Sequence, residues 1–221
     1  MEAVSDAALI DEGRAMKRGK AEVERTRQRL LDAAERVFSE RGYAVARLEE
    51  IAEAAGLTRG SIYWHYDGKP ELLEAVIDRA WFPWDQLPVE RAGTQGLPGI
   101  AQMACVLGQG LQHTLAEPHL RRSASILLQG HELRHVSERV QERLRGMQQR
   151  IRRYVALVIE QASAGRLARA ERDAQARAVG VFMFGVLSEA LLLDVPGEQQ
   201  ALGREVERFI LALLLPGLAG G

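Results

Sequence analysis

At 221 residues the chain is long enough for one large domain or two smaller ones, and 47% apolar with 27% charged residues is the composition of an ordinary globular protein. A formal net charge of −1 excludes a polycation, so any affinity for nucleic acid must come from a local patch. One cysteine, Cys105, excludes an internal disulfide, and the opening MEAVSDAALIDEG lacks the basic start and long apolar run of a secretory signal, so a cytoplasmic protein is expected.

No alternating β-branched run and no Asn-Gly hairpin signal occurs, while helical periodicity covers almost everything, so the expected fold class is all-α. Residues 1–20 are polar, mixed and aperiodic and read as a mobile N-terminal tail. Between Arg14 and Arg29 seven basic residues face two acids, either as a solvated face or as an arm that touches phosphates. The first clear helix is Glu22 to Arg41, with Leu30, Leu31, Ala34, Val37 and Phe38 on one face and Gly42 as its stop. A short helix follows from Leu48 to Ala55 and ends at Gly56. Thr58 is then placed to cap a third helix of roughly Arg59 to Tyr66, its hydroxyl accepting from a backbone N–H one turn on. Asp67-Gly68 breaks that helix, and Pro70 at a first helical position opens a fourth. Beyond a Pro- and Gly-containing loop from Leu87 to Pro98, further helices are expected over 99–116, 118–133, 136–165, 172–194 and 198–215.

Helix, tight glycine turn and short helix together form the helix-turn-helix pattern, whose second helix is free to enter a DNA major groove. The residues on that helix suit the task. Arg59 has the planar fork that pairs with guanine O6 and N7, and Gly60 lets the backbone approach closely. Thr58 and Ser61 offer hydroxyls to bases or phosphates, and Tyr63 and His65 carry a polar tip on a rigid ring. Lys69, at the start of the next helix, is placed for a phosphate. Ile62 and Tyr66 read as core.

TRQRLLDAAERVFSERGY, followed by LEEIAEAAGLTRGSIYWHYDGKPELLEAVI, resembles the N-terminal domain of TetR-family repressors from Thr26 to Ile77, with every turn in place. The resemblance implies an all-α homodimer without cofactor or membrane segment, whose partners are a palindromic double-stranded operator and a small-molecule effector. It implies a three-helix DNA-binding domain over 21–68 and a larger ligand-binding and dimerisation domain over 69–221. The family's DNA-facing positions fall on Thr58, Arg59, Gly60, Ser61, Tyr63, Trp64, His65 and Lys69. Arg47 stands where the family usually has Thr or Ser, so the second helix lacks its usual hydroxyl cap, and Arg47 is offered to a phosphate instead. RRSASILLQGHEL, RLRGMQQRIRRYVALVIEQASAGRL and VFMFGVLSEALLLD, in that order, resemble the AcrR-like branch, whose members repress multidrug-efflux operons. Control of a metabolic operon is the alternative within the family.

In the C-terminal part, Ala178 to Leu193 is apolar all round and reads as a helix buried on all sides rather than a membrane span, because Glu189 interrupts it. The last helix carries Val206, Phe209, Ile210, Leu213 and Leu214 as one stripe. Two such helices per subunit suggest a four-helix dimer interface through Phe182, Val186, Leu191, Val206, Phe209, Ile210 and Leu213, with a purely intramolecular core as the alternative. An apolar effector pocket is expected among Trp81, Phe82, Trp84, Met103, Cys105, Leu107, Ile126, Met183 and Phe184, with Glu132 and Glu189 facing a cationic ligand. Glu189 has Arg122 or Arg177 as alternative partners.

A rival motif, His131-Glu132-Leu133-Arg134-His135, matches the HExxH pattern of zinc peptidases, with Glu160 as the third ligand on offer. It straddles an expected helix break and lacks cleft-forming strands. No metal and no catalytic residue is therefore expected, and a helical interaction module is the remaining alternative.

Overall fold

The computed structural model describes residues 3–90, 96–129, 133, 135–193 and 197–219, with side chains described between residues 19 and 216 of those ranges. The all-α expectation holds: among the described residues there are nine α-helices, one 3-10 turn and no strand. The helices are α1 (Ala3–Arg41), α2 (Leu48–Ala54), α3 (Arg59–Tyr63), α4 (Lys69–Arg79), α5 (Ile100–Ala116), α6 (Pro118–Leu128), α7 (Glu138–Ala162), α8 (Arg169–Leu193) and α9 (Gln199–Ala219), and the 3-10 turn is Pro83–Gln86. Two compact units, Met1–Val76 and Ile77–Gly221, divide inside α4 rather than at its start, where the sequence suggests a boundary.

In the first unit α1 is much longer than its apolar stripe. The backbone is helical from Ala3, where an irregular tail was expected. Between Ala3 and Ala21 there is no proline, and Ala, Leu, Met, Glu, Lys and Arg predominate, so intrinsic propensity extends the helix without any periodic face. The stripe itself behaves as expected: Leu30, Leu31, Ala34, Val37 and Phe38 are buried and pack in one core with Ile51, Ala52, Ile62, Tyr66, Leu72 and Leu73. Gly42 ends α1 at φ 81°, with its N–H bonded to the Phe38 carbonyl at 3.0 Å. Gly56, at φ 63°, makes the turn between α2 and α3. A cation fixes that turn: the Arg29 guanidinium donates to the carbonyls of Ala55 (2.6 Å) and Gly56 (3.3 Å). Arg36 adds a bond to the Ala54 carbonyl at 3.3 Å, so two cations from α1 occupy the electronegative end of α2. Arg29, the last member of the basic run, is thus committed to the turn rather than to an arm.

Arg47 stands at the N-cap of α2 and cannot accept a hydrogen bond. Glu50 compensates, its carboxylate accepting the Arg47 backbone N–H at 3.1 Å, which is half of a capping box.

In the second unit α5 packs on α9 at a glycine contact. A Cβ on Gly108 would lie 2.5 Å from the Gly203 carbonyl oxygen, so only glycine allows this approach. The 3-10 turn is held to α7 by Arg143, whose two guanidinium nitrogens reach Asp85 at 2.6 and 2.5 Å and the Ala80 carbonyl at 3.0 Å. Asp85 in turn accepts the Phe82 N–H at 2.8 Å, closing the turn. The Asp85 carboxylate keeps the Arg143 pKa above its ordinary value. α8 buries Ala176, Val179, Met183, Val186 and Leu187, a single face at three- and four-residue spacing. It is therefore not covered on all sides within the chain: Val181, Leu192 and Leu193 are 57%, 83% and 60% exposed. α9 continues past Pro216, where a stop near residue 215 was expected.

Candidate nucleic-acid interface

α3 is little more than one turn, so its orientation follows from which residues the core accepts. Ile62 and Tyr66, four residues apart, are buried. That rotation leaves Thr58, Arg59, Gly60, Tyr63 and Trp64 exposed and Ser61 and His65 half-buried. Trp64, at 89%, is the most exposed large apolar side chain among the described residues. It stands beside the Thr58 and Ser61 hydroxyls and the Arg59 guanidinium on the exposed side of α3. Thr58 occupies the N-cap with extended backbone, but its hydroxyl does not cap α3: it bonds the Ser61 hydroxyl at 3.1 Å, and the two form one exposed polar pair.

Arg59 is held in place before any ligand arrives. Its guanidinium pairs with Glu49 of α2 at 2.6 Å and donates to the Tyr63 hydroxyl at 3.0 Å, with its carbon 5.6 Å from the Tyr63 ring centroid. The Tyr63 hydroxyl first, and Glu49 second, raise the Arg59 pKa, so the group stays fully charged. A carboxylate beside the Arg59 guanidinium is a feature that sequence spacing did not suggest.

Lys69 is placed differently from the expected phosphate contact. Its ammonium donates to three carbonyls of the loop between α1 and α2, those of Tyr43 (2.7 Å), Ala46 (2.9 Å) and Ala44 (3.3 Å), and lies 4.4 Å from the Tyr43 ring centroid. All three ammonium protons are engaged, and partial burial lowers the Lys69 pKa. The group therefore pins the loop ahead of α2. Arg47 is exposed, as a phosphate contact requires.

The second unit contains a narrow apolar cleft of about 20 Å³ between the 3-10 turn, α7 and α8. Of the residues expected to meet an effector, Trp84, Met183 and Phe184 line it. Met147, Gln148, Ile151, Arg152, Gly180 and Leu187 complete the wall and were not foreseen. Phe82, Met103, Leu107 and Ile126 are buried core outside this lining, and Trp81 is exposed. Glu189 lies exposed on α8, where water solvates its charge, and Glu132 lies outside the described residues.

Of the expected dimer contacts, Val186, Val206 and Ile210 are buried within the single chain and have no surface left to offer. Phe182, Leu191, Phe209 and Leu213 are half-buried, and the Phe182 and Phe209 rings stack with centroids 3.7 Å apart, joining α8 to α9. The uncovered apolar positions are Val181, Leu192 and Leu193 on α8 and Leu215 on α9. α8 is long and apolar enough to span a membrane by composition, with 28% of its most apolar window buried.

His131 and Glu132 of the HExxH motif lie outside the described residues, and His135 is exposed. Glu160, the third ligand on offer, is paired with Arg172 instead. Among the described residues no group of three or more metal-ligating side chains comes together.

Residues 30–76 match the family model described as bacterial regulatory proteins, tetR family. The chain is 30% identical over 199 residues to the HTH-type transcriptional regulator TtgR of Pseudomonas putida, spanning 88% of this chain and 92% of that one. It is 37% identical over 112 residues to the probable HTH-type transcriptional regulator ArpR of Pseudomonas putida, covering 51% of this chain and 53% of that relative. Among solved structures it is similar to SmeT, the repressor of the Stenotrophomonas maltophilia multidrug efflux pump SmeDEF, with TM-score 0.63, 25% identity, and 84% and 88% of the two chains covered. The complex of SmeT with triclosan aligns with TM-score 0.65 at 26% identity, over 85% of this chain and 90% of that one.

Proposed function

This chain belongs to the tetR family of bacterial regulatory proteins, and from that premise we propose that it is a ligand-released transcriptional repressor of a multidrug-efflux operon. The observation that carries the reading is the rotation of α3, which buries Ile62 and Tyr66 and turns Arg59, Tyr63 and Trp64 outward beside the Thr58–Ser61 hydroxyl pair. Arg59 reads a guanine, the hydroxyls and Tyr63 contact bases and phosphates, and Arg47 contacts the backbone. Lys69 acts one step back, by holding the loop from which α2 departs.

Two copies pair through the uncovered apolar positions of α8 and α9, Val181, Leu192, Leu193 and Leu215, with Phe182, Leu191, Phe209 and Leu213 at the margin. Pairing removes apolar surface from water, which is the main driving force for such association. A two-fold pair places two α3 helices in successive major grooves, about 34–36 Å apart, and so selects a palindromic operator. An effector enters the cleft beside Trp84 and Phe184. α4 has residues in both compact units, so a shift of its C-terminal half is transmitted through the chain to α3. The ligand needs only a differential affinity for the two arrangements, typically about 1–3 kcal/mol. The protein acts in the cytoplasm and catalyses no reaction.

Electrophoretic retardation of the DNA upstream of the chain's own gene, against a scrambled duplex, tests the reading. Selective retardation, relieved by an effector such as triclosan, the compound in the SmeT complex, is expected. Equal retardation of both duplexes, or none of either, overturns it.

A further inference from the structure

Two side chains lining the cleft of the second unit carry a buried N–H donor that meets no acceptor among the described residues: Nε1 of Trp84 and Nε of Arg152. Buried donors are nearly always paired, because an unpaired one forfeits its bond to water without replacement. Two donors left unpaired in the wall of one cleft leave room there for an acceptor supplied by a ligand. The cleft has room for little more than a single water in its present form, so an acceptor-bearing ligand must also part its walls.

The seat for Arg152 is built into the helix it faces. A Cβ on Gly180 of α8 would come within 3.2 Å of Arg152 Cγ and 3.5 Å of its Nε, so the absence of that side chain lets the guanidinium lie against the helix. No lining residue of the cleft is acidic. On its other side Arg152 borders a groove that adds Arg153, Arg169, Arg172 and Arg177 against two carboxylates, Glu160 and Asp173. Both carboxylates are already paired, Glu160 with Arg172 and Asp173 with Arg169 and Arg172. The local field at Arg152 is positive. Apart from the neutral amide of Gln148, the remaining wall, Met147, Ile151, Met183, Phe184 and Leu187, is apolar and partly aromatic.

We propose that the cleft selects aromatic ligands bearing an anionic oxygen head, a carboxylate or phenolate, whose ring system packs against Phe184 and the two methionines while the head accepts from Arg152 and Trp84. The selection rests on the reading of this unit as the effector-binding part. A cationic head is disfavoured here, because it would add positive charge to an arginine-rich rim and leave both donors unpaired.

Calorimetric titration of the full-length protein with biphenyl-4-carboxylate and with 4-phenylbenzylammonium, probes of one shape and opposite charge, tests this. The carboxylate is expected to bind roughly tenfold to a hundredfold more tightly, the scale of a charge-assisted hydrogen bond. Arg152→Met keeps the apolar stem and should reduce the preference to less than about threefold, and Trp84→Phe, which removes only the N–H side of the ring, should weaken the carboxylate alone. Equal or tighter binding of the ammonium probe, an undiminished preference in Arg152→Met, or no saturation by either probe overturns the proposal. The wild-type comparison decides even if a variant fails to fold. Retardation of operator DNA by the same preparation separates the two readings: DNA binding without probe binding sinks only the ligand class, and the anion preference without DNA binding sinks only the repressor.

Discussion

Replacing Lys69 with methionine distinguishes a structural lysine from a DNA-contacting one. Methionine keeps most of the apolar stem and deletes the ammonium. The bonds to the Tyr43 and Ala46 carbonyls, at 2.7 and 2.9 Å, are partly buried, whereas the 3.3 Å bond to Ala44 is exposed and water replaces it. Two part-buried charge-assisted bonds at about 1 kcal/mol each, with a fraction of a kcal/mol for the contact over the Tyr43 ring, give a loss of about 2–3 kcal/mol. In a unit of this size that lowers the melting transition by roughly 10 °C or more. Differential scanning calorimetry resolves the transition, and operator titration at several salt concentrations, performed well below it, reads DNA binding. The expected outcome is a strongly lowered transition with a salt slope unchanged within error. An unaltered transition together with a salt slope smaller by about one phosphate contact would refute the reasoning and return Lys69 to the DNA.

Gly108→Ala and Gly146→Ala should shift stability in opposite directions. At Gly108 an overpacking cost of about 1–3 kcal/mol outweighs a helix-propensity gain of at most about 1 kcal/mol, because the new Cβ meets a backbone carbonyl at 2.5 Å. Gly146 has nothing within 4 Å, so its substitution should stabilise by about 0.5–1 kcal/mol, and thermal melts that move both variants the same way would contradict the packing. Glu49→Gln frees Arg59 from its carboxylate and is expected to strengthen binding to scrambled duplex by about two- to fivefold, more than to operator. Matched titrations in which the operator-to-scrambled ratio stays constant would dismiss Glu49 as a restraint on non-specific contact. Asp85→Ala leaves Arg143, with 22% of its side chain exposed, without its bidentate partner and opens the 3-10 turn, at an expected loss of about 2–3 kcal/mol by denaturant unfolding. A loss below about 0.5 kcal/mol would mean that the pair does not hold the turn.

What could be read from the sequence followed the strength of local rules. The stops at Gly42 and Gly56 were visible because a glycine after an apolar stripe is the usual way to take positive φ, and both do. The outward rotation of α3 was visible because Ile62 and Tyr66 sit one turn apart amid polar neighbours. Lys69 was not: the carbonyls of Tyr43, Ala44 and Ala46 converge on it only in three dimensions, about two dozen residues away in sequence. The Glu49–Arg59 pair was hidden for the same reason, since it crosses the turn between two helices. Which face of α8 the chain itself covers was not legible, because a helix apolar all round carries no periodic signal to mark it. Arg152 went unnoticed because, beside Arg150 and Arg153 on an amphipathic helix, it reads as part of a solvated face, and only the missing Cβ of Gly180 reveals its seat.

The central claim is that α3 reads base edges through Arg59. Selection of bound duplexes from a randomised DNA library by the wild-type protein and by Arg59→Ala tests it most directly. The wild type should enrich a palindrome with a guanine fixed in each half-site. The variant should bind that palindrome roughly tenfold or more weakly and lose the guanine while keeping the symmetry. Recovery of the same palindrome, guanine included and at unchanged affinity, would contradict the account.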